Sequence, residues 1–83
     1  LQAQQPLRGP QQAFPSLTTG ERALLELLAH GLDNLQISAH LGLSEKTVRN
    51  KVSSVFSKLE APTRAQAIVR ARDAGFGSSD LPR

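Results

Sequence analysis

The chain has 83 residues, room for one small folded domain, and no cysteine, which excludes disulfides and thiolate metal sites. Hydrophobic residues make up 39% but aromatics only 4%, so any core must be aliphatic, which favours packed helices over a sandwich. The formal net charge of +3 suits an anionic partner without naming one, and no apolar run approaches the ~20 residues needed to cross a bilayer.

Leu1 to Ser16 holds five glutamines and three prolines with no periodicity, and reads as a flexible linker over residues 1–16. Such an opening is expected of the C-terminal part of something longer. No signal-peptide pattern is present, and a cytoplasmic location is expected. Phe14 is the one linker residue expected to dock on a core, with an exposed, idle side chain as an equal alternative.

The first helix is expected from Thr18, where Thr18-x-x-Glu21 forms a capping box with Leu17 at the staple position. Leu24, Leu27 and Leu28 give its core face with Leu25 beside them, and Gly31 supplies a left-handed stop. Asp33, with Gln36 three residues on, caps a second helix whose Ile37 and Leu41 point inward and which closes at Gly42. Leu43 is then a buried turn residue. Ser44 caps the third helix, with Glu45 near its positive end.

In the third helix, Val48, Val52, Val55, Phe56 and Leu59 form one apolar stripe. Lys46, Arg49, Asn50, Ser53 and Ser57 form the opposite stripe, with Thr47, Lys51, Ser54 and Lys58 on a flank between them. From Lys46 to Leu59 there are four cations and no acid. A helix about 10–12 Å across fits a B-DNA major groove about 12 Å wide. There Arg pairs with guanine, Asn with adenine, and a short Ser lets the groove approach. A merely solvated amphipathic helix is the competing reading. The connection at Gly42 to Ser44 is short, however, and two helices joined by a tight glycine turn, the second carrying a cationic face, outline a helix-turn-helix.

A fourth helix begins after Pro62 with Thr63-x-x-Gln66 as a capping box, and stops at Gly75. Ala67, Ile68, Ala71 and the stem of Arg64 form a core face. Ala65, Val69, Arg72 and Phe76 form a second face, which suits a subunit contact, scattered surface apolars being the alternative. Residues 78–83 are a polar tail. The fold class expected is all-α: a four-helix, bundle-like domain over 17–77 containing a helix-turn-helix.

The stretch LTTGERALLELLAHGLDNLQISAHLGLSEKTVRNKVSSVFSKLEAPTRAQAIVRARDAGF resembles the LuxR/NarL/GerE-type helix-turn-helix domain. The resemblance rests on Leu17-Thr18 with Glu21, Asn34 with Ile37, Leu41, Ser44-x-x-Thr47-Val48-Arg49, Lys58-Leu59 and Arg64-x-Gln66-Ala67. It implies a DNA-binding domain of a bacterial transcription regulator of response-regulator type. Arg49, Asn50 and Ser53 would face bases, and Lys46, Thr47 and Lys58 would meet phosphates. Lys51, where the family usually has His, adds a further cation for a phosphate contact. Helix four is the implied dimer contact. The implied partners are double-stranded DNA with an inverted-repeat operator, a weak homodimer and RNA polymerase, with no cofactor, metal, membrane or small-molecule substrate. A protein-interaction module and a sigma-factor-like promoter-binding domain are the rival functions. An enzyme is disfavoured: His30 and His40, the only histidines, have no carboxylate pair or nucleophile spaced to serve them.

Overall fold

The structure is a computed structural model that describes residues 13–78. Four helices follow in order, with no strand among the described residues: α1 (Thr19–Ala29), α2 (Asn34–Leu41), α3 (Glu45–Leu59) and α4 (Arg64–Asp73). Each starts at the short polar residue expected. Thr18 and Asp33 complete reciprocal capping boxes with Glu21 and Gln36, satisfying two orphan N–H groups at each helix start. Ser44 accepts from the Thr47 amide. Thr63 accepts from the Gln66 amide, but the box there is only half made: the Gln66 carboxamide oxygen turns to the Thr63 hydroxyl, 3.4 Å away.

The stops divide differently. Gly42 ends α2 in the left-handed region at φ 68, where a side chain would be strained, so α3 can begin after only residues 42–44. That tight corner turns α3 against α2. At the other end of α3, Glu60 takes a left-handed conformation at φ 55 without being glycine, a stop the sequence did not announce. The next residue shows what holds it there. Ala61 is buried, and its N–H bonds the Phe56 carbonyl at 3.0 Å, so packing and a closing hydrogen bond offset the local strain.

α1 packs against all three other helices, and α2 and α4 each pack also on α3. This explains why four leucines of α1, Leu24, Leu25, Leu27 and Leu28, are all buried, more than one face of a surface helix supplies. Ile37, Val48, Val52, Val55, Leu59, Ala67 and Ala71 fill the space between them, while Phe56 and Leu43 are half-buried against this core. With no Tyr or Trp in the chain, the core needs no buried partner for a ring N–H or O–H.

Ala13 and Phe14 are docked against the helices. The Arg22 guanidinium donates to the carbonyls of Ala13 and Phe14 at 2.8 and 3.0 Å, and Leu17 N–H closes a turn on the Phe14 carbonyl. Phe14, at φ 52, lays its ring 6.2 Å from that of Phe76. The remainder of the expected linker, residues 1–12, and tail residues 79–83 lie outside the described residues.

The second face expected on α4 is altered by this packing. Phe76 is only 3% exposed, because the chain turns after α4 and folds its ring back over Phe14, off the line of the helix. Arg72 is exposed, but its Nε donates to the Ala29 carbonyl at 2.8 Å, serving a carbonyl at the end of α1. Ala65 and Val69 remain outward, Val69 at 57% exposure.

Candidate nucleic-acid interface

The two stripes of α3 separate cleanly in the fold. Val48, Val52, Val55 and Leu59 are buried, whereas Lys46, Arg49, Asn50, Ser53 and Ser57 are all exposed. Burial of the first stripe therefore presents the second to solvent as one continuous face, with Arg49 and Asn50 adjacent and Ser53 one turn further on. Of the flank, Thr47, Lys51 and Ser54 are half-buried. The Ser44 hydroxyl accepts from the Thr47 amide at 3.1 Å and donates to the Thr47 Oγ1 at 2.9 Å.

Lys58, expected among the phosphate contacts, is exposed at the end of the flank, and its ammonium also bonds inward. Its Nζ lies 2.8 Å from Glu21 Oε1 and donates also to the Ser16 carbonyl at 3.1 Å. Glu21 is buried and fully engaged: Oε1 accepts from the Thr18 amide at 2.8 Å, and Oε2 accepts from the Ser54 hydroxyl at 3.1 Å. The Lys58 hydrogen bond, the capping bond from Thr18 and the Ser54 bond together outweigh desolvation, and hold this carboxyl down from 4.5 to about 2. Sequence spacing marked Glu21 as a capping residue only. Its second role needs residues 33 and 37 positions later, which no local pattern relates to it.

A second polar joint was also missed. Arg64, expected to lend only its stem to the core, donates to Asn34 Oδ1 at 2.9 Å and to the Leu32 carbonyl at 2.8 Å. It thus ties the start of α4 to the start of α2. His30 Nε2 lies 3.0 Å from Glu26 Oε2 one turn earlier, while Glu26 Oε1 accepts from the Gly77 amide at 3.1 Å. His40 is exposed on α2.

This arrangement of four helices, a short glycine corner and an exposed cationic stripe on the helix that follows it is a helix-turn-helix. Comparison with known proteins agrees. The profile of bacterial regulatory proteins of the luxR family (GerE) matches residues 15–71. The chain is 46% identical over 63 residues to the DNA-binding transcriptional activator DevR/DosR of Mycobacterium tuberculosis, covering 76% of this chain and 29% of that protein. It is 38% identical over 60 residues to the transcriptional regulatory protein DesR of Bacillus subtilis, covering 72% and 30% respectively. The spore germination protein GerE of Bacillus subtilis is 43% identical over 58 residues, 70% of this chain and 78% of GerE. No solved structure gave a significant match. The chain belongs to the LuxR family of bacterial regulatory proteins, and its folded part is that family's helix-turn-helix DNA-binding domain. It spans about three-tenths of the length of DevR/DosR and DesR. The family is one of DNA-binding regulators, not of enzymes. No helix among the described residues is long and apolar enough to cross a membrane.

The Glu21 geometry sets an acid limit on the fold. A carboxyl held below its ordinary value stabilises the native state above pH 4.5, and that contribution is lost as pH falls through about 2. Glu21→Gln removes the titrating group and its pairing with Lys58. Thermal melting of the two proteins should show a gap that is widest above pH 4.5 and closes toward pH 2. A gap unchanged across that range would show that the charge on Glu21 contributes nothing to the fold.

Proposed function

We propose that this domain is the effector end of a cytoplasmic bacterial response regulator, and that it reads DNA by laying α3 in the major groove. The observation that carries the reading is the exposed stripe of Lys46, Arg49, Asn50 and Ser53, displayed directly opposite the buried Val48, Val52, Val55 and Leu59. Arg49 offers a bidentate pair to guanine and Asn50 one to adenine, and Ser53 keeps the face low enough for bases to approach. Lys46, Thr47 and Lys51 stand beside them as phosphate contacts, fixing register without reading sequence. Catalysis has no part in this reading.

Two such domains on an inverted repeat would pair through α4. Ala65 and Val69 are the residues left for that contact, since Phe76 is in the core and Arg72 serves Ala29. The patch is small against the ~1,200 Å² at the low end of stable interfaces, so pairing belongs on DNA, where half-sites ~34–36 Å apart hold both copies at high effective concentration.

Arg49→Ala should cost about 1–3 kcal/mol on a duplex selected by this chain and relax preference at one base position. Lys46→Ala should weaken all duplexes alike and reduce the salt slope by about one. Binding isotherms over a salt series check both, and identical profiles for the two variants would contradict the division of labour. Val69→Glu should leave half-site binding intact while abolishing cooperative occupancy of a two-half-site duplex. Unchanged cooperativity in that titration would remove α4 from the dimer.

A further inference from the structure

Lys58 carries its charge on the same helix as the reading stripe, but in the wrong place to share its work. It lies nine residues beyond Arg49, about 13 Å further along the axis, and about half a turn around it. Two of its three ammonium protons are committed inward, to Glu21 Oε1 and the Ser16 carbonyl. Glu21 in turn grips α3 at two successive turns of one flank, through Ser54 and Lys58, while its own position is locked by the Thr18 amide at the start of α1. The apolar stripe presses α3 against α1 without directional bonds. These polar contacts are directional, and they fix how far α3 is rotated about its own axis.

That rotation matters for base reading. Turning a helix by about 10° swings a group about 6 Å from the axis by about 1 Å, more than the spread of good hydrogen-bond lengths. We propose that Glu21 and Lys58 are positioning residues for DNA reading: joined with Ser54 they form a strut from the α1 cap that sets the rotation of α3, and Lys58 supports DNA affinity through this strut rather than by touching a phosphate. The proposal rests on α3 being the reading helix.

The two roles for Lys58 make opposite predictions for Glu21→Gln. If Lys58 met a phosphate, removing the carboxylate would release the lysine and one repelling charge, so binding would tighten and the salt slope would steepen by about one. With a strut, the neutral Gln side chain loses the ion pair with the lysine and offers one acceptor oxygen in place of two, and binding weakens. The experiment selects a duplex from a random pool with the unmodified chain. It then measures affinity and salt slope for Glu21→Gln, Lys58→Met and Lys58→Arg, at a temperature where circular dichroism shows each fully helical. We expect Glu21→Gln and Lys58→Met to weaken specific binding roughly fivefold or more with the slope unchanged. Lys58→Arg, which keeps the pairing, should bind as the parent does. Tighter binding by Glu21→Gln would overturn the strut, as would a slope reduced by about one in Lys58→Met, the signature of a lost phosphate contact. If Glu21→Gln fails to fold, the salt slope of Lys58→Met still decides. Failure of the unmodified chain to select any duplex would overturn the DNA reading itself, and the strut's part in it.

Discussion

The carboxylate of Glu21 joins three parts of the chain that share no local sequence relation. It closes the cap of α1 through Thr18, accepts from Ser54 in the middle of α3, and pairs with Lys58 near the end of that helix. Through Lys58 it also reaches the Ser16 carbonyl, where the chain enters the domain. A buried carboxylate is costly unless its lone pairs are met, and here both oxygens are. In a domain this small, whose core is almost wholly aliphatic, hydrophobic burial drives assembly but specifies direction poorly. Directional bonds from one buried acid give α3 a fixed seat.

Function follows from that seat. The glycine corner at residues 42–44 and the packing of α2 on α3 hold the start of the reading helix, and the Glu21 joint holds its later turns. Between these two anchors lie Lys46, Arg49, Asn50 and Ser53, none of them drawn into contacts that would hide them. The polar groups used to build the fold and those proposed to meet DNA occupy different sides of one helix. Arg64 repeats the principle at the start of α4, tying it to Leu32 and Asn34 beside α2. The helix proposed for pairing is thereby mechanically linked to the helix-turn-helix.

Local rules wrote much of this plainly into the sequence. Thr18, Asp33, Ser44 and Thr63 start the four helices because short polar side chains satisfy orphan amides, and a 3.6-residue period sorts α3 into buried and exposed stripes. What depends on distant pairing was not legible. Phe76 lies at helical spacing from Val69, yet the chain has left the helix by then, and Phe14 supplies a ring for it to cover. Lys58 looks like one more cation on a basic helix until the fold sets Glu21 beside it. Glu60 ends α3 in a conformation usually left to glycine, because the burial of Ala61 decides the matter from the other side.

The surface of the domain that DNA touches is the most direct test of α3 as the reading helix. Titrating an isotopically labelled chain with a duplex and following its backbone amides by NMR addresses this residue by residue. The largest shifts should fall between Lys46 and Ser53 on the exposed stripe of α3, with Val69 and the outer face of α4 little changed on a single half-site. Maximal shifts on α4 or along α1, with Arg49 and Asn50 unmoved, would contradict α3 as the reading helix.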